Sequence, residues 1–249
     1  MFKKFVKILI PARLIKRLKN LREKIEFNRF KNLGLEDVFK TIYEEKIWTP
    51  ESEKKNFKYY SGLGSHKNEF TEKYILETIN VLKSIKKNPD IVELGCGDFK
   101  VSEKLVKFSN SFKACDIFKD LIENNKKEFK DPKLQFFVLD MTKDELPSAD
   151  ICIIRCVLQH LSNKKILNFL NRINGKFKFL LITEHYPNKI NFSANHDIIS
   201  GPNIRLKYDS AVDLTKAPFN LKVKSEKNIY KAYSKDVEGF LNTQLYELE

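Results

Sequence analysis

Three carboxylic acids and two glycines carry the chemistry that this chain displays most openly. Glu93 sits near the end of the apolar run Ile91-Val92-Glu93-Leu94, which leads into Gly95-Cys96-Gly97-Asp98. Asp116 lies 21 residues beyond Gly95, at the end of a second apolar run, and Asp140-Met141 closes a third. A Gly-x-Gly turn between strand and helix removes Cβ atoms that would hold a ligand off the backbone, and the helix start beyond it offers unpaired N–H groups. An acid about 20 residues past such a turn is placed to accept hydrogen bonds from both hydroxyls of a ribose. An ordinary turn also uses glycines, and an ordinary helix cap also uses an acid. Three acids in register with the glycines favour a nucleotide-like ligand at the carboxyl ends of parallel strands.

The residues also narrow the ligand. A dinucleotide fingerprint needs a third glycine, but none follows in Asp98-Phe99-Lys100, and no Gly-Lys-Ser/Thr follows for phosphate. An acid at Glu93, just before the turn, would repel a pyrophosphate and suits a cationic, phosphate-free ligand such as S-adenosylmethionine. Methyl transfer from a sulfonium to a hydroxyl needs an aligned acceptor and a general base. The four histidines are His66, His160, His185 and His196. His160 follows the fourth apolar run, His185 follows the fifth beside Glu184, and His196 adjoins Asp197, which could orient it. His160, His185 with Glu184, and His196 with Asp197 are therefore the candidate catalytic groups. His160 has packing at a helix start as its alternative, His196 with Asp197 an acceptor contact, and His66 reads as surface or lid.

Those residues need strands that end together. Apolar runs at 91–94, 112–115, 135–139, 151–154 and 178–183 alternate with helical patterns at 68–85, 101–108, 118–129 and 163–172. This spacing implies a parallel sheet covered on both faces. Leu221–Ser225 and Ile229–Tyr233 read as two further strands at an antiparallel end. The glycine-punctuated loop Ser61–Ser65 is a candidate lid. Asn203, Arg205 and Tyr208 are a candidate acceptor flap, and Trp48 is an anchor for the N-terminal region.

The chain of 249 residues carries a net charge of +13, most of it in one place. Residues 1–24 hold nine Lys and Arg against one Glu, a net of +8, which leaves about +5 for everything else. An enzyme of nucleic acid more often carries its charge around the cleft, which argues against such a substrate. Leu14, Leu18, Leu21 and Ile25 recur at helical spacing between the basic residues. An anionic membrane surface is one expected partner of residues 1–24. Docking on the catalytic domain or on a partner subunit is the alternative. No run of 18 apolar residues suggests a transmembrane helix, and Phe2–Ile10 lacks a cleavage site for secretion. Cys96, Cys115, Cys152 and Cys156 include no C-x-x-C pair, so neither a metal centre nor disulfides are expected, and the chain reads as cytoplasmic, with possible peripheral attachment at the inner membrane face.

The blocks Glu93–Asp98, Ala114-Cys115-Asp116-Ile117, Leu139-Asp140-Met141 and Ala149–Ser162 resemble the class I S-adenosylmethionine-dependent methyltransferases. The resemblance implies an α/β, Rossmann-like, doubly wound, mostly parallel seven-stranded sheet, here with a basic helical N-terminal extension. It implies that Glu93, Gly95, Cys96 and Gly97 hold the methionine end, Asp116 and Ile117 the ribose, and Asp140 and Met141 the adenine. Arg155 and Cys156 would border the methyl group. A narrower resemblance, to a bacterial subgroup linked to surface-polysaccharide synthesis, rests on Ile42-Tyr43, Ile47-Trp48, Ser61–Ser65 and Gly97-Asp98-Phe99. It also rests on Asn195–Ile198, Gly201-Pro202-Asn203 and Ala217–Leu221. Val101 and Glu184-His185 depart from that subgroup. The organisation expected is an arm at 1–32, a connecting and lid region at 33–90 and a cofactor-binding domain at 91–249. The expected activity is methylation of a small or glycan-like acceptor, O-directed. The alternatives are a nucleic-acid or other small-molecule methyltransferase, or a non-catalytic membrane-associated protein that keeps the fold.

Overall fold

The computed structural model describes Arg17, Leu21 and residues 24–249, so most of the basic arm lies outside the described residues. Seven strands form one sheet: β1 Ile91–Leu94, β2 Phe112–Asp116, β3 Leu134–Val138, β4 Ala149–Arg155, β5 Phe177–Pro187, β6 Val223–Ser234 and β7 Gly239–Leu248. Their order is β3-β2-β1-β4-β5-β7-β6. The first five are parallel, and β7 runs antiparallel between β5 and β6. Chain direction reverses its winding between β1 and β4, which opens the crevice at their carboxyl ends.

The helices are α1 (Leu35–Glu44), α2 (Asn68–Ile85), α3 (Lys119–Glu128) and α4 (Asn163–Leu170), with a 3-10 segment at Ser102–Phe108. Central parallel strands are buried on both faces, and β1 and β4 are correspondingly apolar at successive positions. Val92, Leu94, Cys152, Ile154, Leu180 and Ile182 pack with α1 and α4 on one face. Ile91, Ile151, Ile153 and Leu181 pack with Val81 and Leu82 of α2 and Ile122 of α3 on the other. Phe99 adopts φ 62° and fills an aromatic cluster with Phe112, Phe129 and Phe136.

Two expectations need correction. Leu221–Ser225 and Ile229–Tyr233 belong to a single strand, β6, whose register shifts between Val223 and Ser225 and between Asn228 and Tyr230. Such shifts break the alternation of side chains that makes a strand readable. The antiparallel partner, β7, went unread because its interior carries buried Asn242 and Thr243 in place of apolar residues. The second correction concerns the flap. Arg205 is 1% exposed and donates to the carbonyls of His196, Leu158 and Leu161 and to Asn163 Oδ1. It fastens the irregular 188–222 segment to the β4–α4 connection and is not free to meet an acceptor. Asn195 does similar work through Asp213, Lys216 and Ala217. Among the described residues, no helix is long and apolar enough to cross a membrane.

Gly239 begins β7 where a Cβ would stand 2.6 Å from the Tyr186 carbonyl oxygen. Gly239→Ala should therefore destabilise the protein by about 1–3 kcal/mol. Chemical denaturation measures this, and an unchanged midpoint would show that β7 can slide without loss.

Candidate active site

The turn after β1 is closed on three sides. Gly95 and Gly97 have φ of 75° and 56°. A Cβ on Gly95 would meet Val157 Cγ2 at 2.5 Å, and one on Gly97 would meet Ser61 Oγ at 2.3 Å. The space that glycine leaves is thus taken by the protein's own β4 loop and N-terminal region, whereas the sequence reading reserved it for ligand. Gly95 and Cys96 donate to the Cys115 carbonyl, and Gly97 N donates to Asp116 Oδ2 at 3.0 Å.

All ten residues assigned to the cofactor line one cavity: Glu93, Gly95, Cys96, Gly97, Asp116, Ile117, Asp140, Met141, Arg155 and Cys156. Glu93 is buried; Ser102 Oγ donates to its Oε1, while Oε2 has no partner. Burial pushes its carboxyl up to about 8, against Ser102 and Arg155, which pull it down. Asp116 accepts from Gly97 N and Phe118 N, and burial raises it as well. Asp140 caps its own turn through Thr142 N and Oγ1, both at 2.8 Å from Oδ1. The Cys156 thiol is pushed up to about 12 by burial, which leaves it protonated.

The roof comes from residues that the candidate list did not contain. α1 sends Leu35, Phe39 and Tyr43 into the cavity wall, and Trp48 joins them. Tyr43 stacks on Phe118 with centroids 5.8 Å apart and shares a 3.0 Å hydrogen bond with Ser61 Oγ. Trp48 anchors the region by donating to the Pro202 carbonyl. The loop 61–66 is clasped over the turn. Ser61 N donates to Asp98 Oδ2, Asp98 N donates to Ser61 Oγ, and His66 Nε2 lies 2.7 Å from Asp98 Oδ2. Arg155 holds the other end through Ser65 Oγ and the Gly64 carbonyl. The periodicity of α1 was the available signal, but periodicity says which residues are buried and not which cavity they cover.

The histidines fall into different environments. His196 is exposed, stacks on Tyr208, and lines no part of the cavity. Asp197 does not orient it; Asp197 Oδ1 accepts from Asn163 N and Ile198 N and so braces the start of α4. Glu184 is likewise corrected. Its carboxylate accepts from the N–H groups of Val157, Leu158 and Gln159, and burial pushes it up to about 8. It shapes the loop after β4 and has no lone role beside His185. His160 does line the cavity, but both ring nitrogens are engaged, by the Asn203 carbonyl and by Gln159. Burial lowers it to about 4.

His185 differs. Gln159 Oε1 accepts from the His185 backbone N–H, so it must also accept from Nδ1, 2.8 Å away. The proton therefore sits on Nδ1, and Nε2 carries a lone pair with no hydrogen-bond partner among the described residues. Thr183 pairs with Arg155, and His185 lies two residues further on, so it shares Arg155's face at the carboxyl edge. Burial, then Arg155, lowers its pKa to about 4.

Residues 18–179 match the O-methyltransferase domain family. The chain belongs to that family. It is a methyltransferase, and solved structures share its fold at low identity. Magnesium protoporphyrin IX methyltransferase from Synechocystis PCC 6803, solved with bound S-adenosylmethionine, is 9% identical with a TM-score of 0.55, covering 87% of this chain and 98% of that one. Human N-acetylserotonin methyltransferase, also solved with S-adenosylmethionine, is 16% identical with a TM-score of 0.54, covering 87% and 60%. The N-terminal domain of EvdMO1 with S-adenosylhomocysteine is 10% identical with a TM-score of 0.52, covering 70% and 81%. Among curated proteins no match is found.

In this methyltransferase the clasp over the glycine turn depends on one carboxylate. Asp98→Ala should raise amide exchange across residues 60–66 while β1 to β5 stay protected. Hydrogen-exchange mass spectrometry reads this directly. Unchanged exchange would mean that Tyr43 and Arg155 hold the loop without Asp98.

Proposed function

We propose that this methyltransferase takes its methyl group from S-adenosylmethionine and transfers it to a hydroxyl of a small, glycan-like acceptor, such as a sugar in surface-polysaccharide synthesis. The observation that carries the cofactor reading is the buried Glu93 oxygen without a partner, set among Asp98 and Asp116. An unpaired buried acceptor is costly, and a cation satisfies it. The residues present fit the compound: Glu93 for its ammonium and sulfonium end, Asp116 for ribose hydroxyls, Asp140 and Met141 for adenine, with Tyr43 and Phe39 as the apolar cover. When bound, the cofactor supplies a methyl group already activated on a sulfonium.

The chain's own part is positioning, exclusion of water and proton removal. Tyr43, Trp48 and the clasped 61–66 loop keep solvent from the crevice. His185 is the general base. Its pKa of about 4 keeps the imidazole neutral, with the Nε2 lone pair available, at ordinary pH. A base that weak is enough, because a hydroxyl oxygen becomes strongly acidic as it gains a methyl group. Gln159 holds His185 in the required tautomer. Ser65, Ser102, Lys100 and Arg155 give the cavity a polar wall, which supports a polyhydroxylated acceptor over a flat apolar one. The narrower sequence resemblance supports the sugar reading less than it first suggests, since Asn195 and Pro202 in its motifs serve internal hydrogen bonds.

Two pH dependences should separate. A carboxyl near 8 in the free protein must lose its proton to hold a cation, so cofactor affinity should rise by about tenfold per pH unit toward 8 and level off above it. Titration calorimetry across pH measures this, and Glu93→Gln should flatten the profile. A wild-type profile already flat would remove Glu93 from the cofactor site. Turnover at saturating cofactor should instead hold steady from pH 5 upward. His185→Ala should lower kcat by about 10²–10⁴ with cofactor affinity kept; wild-type turnover would exclude it as base. Labelled methyl donor offered to sugar nucleotides, oligosaccharides, phenols and RNA tests the acceptor. Label confined to phenols or RNA would overturn the glycan reading.

A further inference from the structure

The helical stretch 24–30 shows two apolar sides, of which the fold uses one. Phe30 is 3% exposed and packs in the core cluster with Leu35 and Val38. Ile25 lies five residues earlier, about 140° around a helix at about 100° per residue, and is 61% exposed. Leu21, four residues before Ile25, is 55% exposed. The sequence continues the same spacing back to Leu18 and Leu14. Phe27 and Leu33 are also exposed, on the rim of a groove that Lys31, Lys164 and Lys165 share. Four of the exposed large apolar side chains thus gather within 13 residues of sequence (21–33), beside Arg17, Lys24, Lys31 and Lys164. Acids nearby among the described residues include Glu26, Glu45 and Asp197; Glu45 is paired with Arg29, and Asp197 is occupied by backbone N–H groups.

We infer that this face, with Leu21 and Ile25 at its centre, docks the enzyme on an anionic lipid surface. Apolar side chains flanked by lysine and arginine are what an interfacial helix needs: the first enter the acyl boundary while the second reach the headgroups. The charge matches that occupant. Residues 1–24 carry a net +8, whereas a second copy of this chain would bring the same positive charge and repel it. None of Leu21, Ile25, Phe27 and Leu33 lines the methyltransferase cavity.

Co-sedimentation of the full chain with vesicles tests this. Wild type should pellet with phosphatidylglycerol-containing vesicles, weakly with pure phosphatidylcholine, and less as salt rises. Leu21→Glu with Ile25→Glu should weaken binding to the anionic vesicles by about tenfold or more. The same variant should keep the wild-type rise in melting temperature with S-adenosylhomocysteine, which shows that it folds. Equal pelleting by variant and wild type, or equal binding to neutral vesicles, would overturn the proposal. So would a wild-type dimer in sedimentation velocity that the variant dissolves, because a second copy would then cover the stripe.

Discussion

Gly95 and Gly97 cannot accept a side chain, because Val157 and Ser61 already occupy the places where Cβ atoms would stand. That single steric constraint ties together three parts of the chain far apart in sequence. β2 enters through the Cys115 carbonyl and Asp116, β4 through the loop at Val157, and the N-terminal region through Ser61 and Tyr43. Cys115, Asp116 and Ser61 each accept from a backbone N–H of the turn that would otherwise be buried without a partner, while Val157 packs against it. Asn125 serves another backbone group by donating to the Gly97 carbonyl at 2.7 Å. The turn is therefore rigid before any ligand arrives.

The same crowding sets the electrostatics. Glu93 and Asp116 are buried close to Asp98, and neighbouring carboxylates add to the cost of ionising each of the two. Backbone donors offset this for Asp116, whereas Glu93 is left with one oxygen without a partner among the described residues. A cationic ligand resolves that imbalance, and a pyrophosphate would worsen it. The excess of positive charge lies elsewhere on the chain, so the cleft stays locally acidic while the molecule as a whole is basic.

Environment also sorts groups of the same type. Glu184 and Glu93 are both buried near the strand ends, yet Glu184 has three backbone donors and shapes a loop. His160 and His185 share Gln159 between them, but only His185 keeps a free nitrogen. His196 stands on the surface. A chemical list of acids and histidines treats these as equals; the hydrogen-bond partners do not.

Much of this molecule was written in local pattern. Short apolar runs, four of the five followed by an acid or a glycine, placed five parallel strands, and they brought Glu93, Asp116 and Asp140 to one edge, because in a parallel sheet the carboxyl ends must lie together. The cofactor residues could be read for that reason. Three things could not be. β7 hides buried Asn242 and Thr243 among its apolar residues, so no periodicity announced it. The clasp at Asp98 joins residues 32 and 37 positions apart, and α1 reaches across the chain from Tyr43 to Phe118, farther than any spacing rule extends. The fate of Glu184, Arg205 and His196 turned on which backbone groups remained unpaired after folding, a property that comes into being only when the chain is packed.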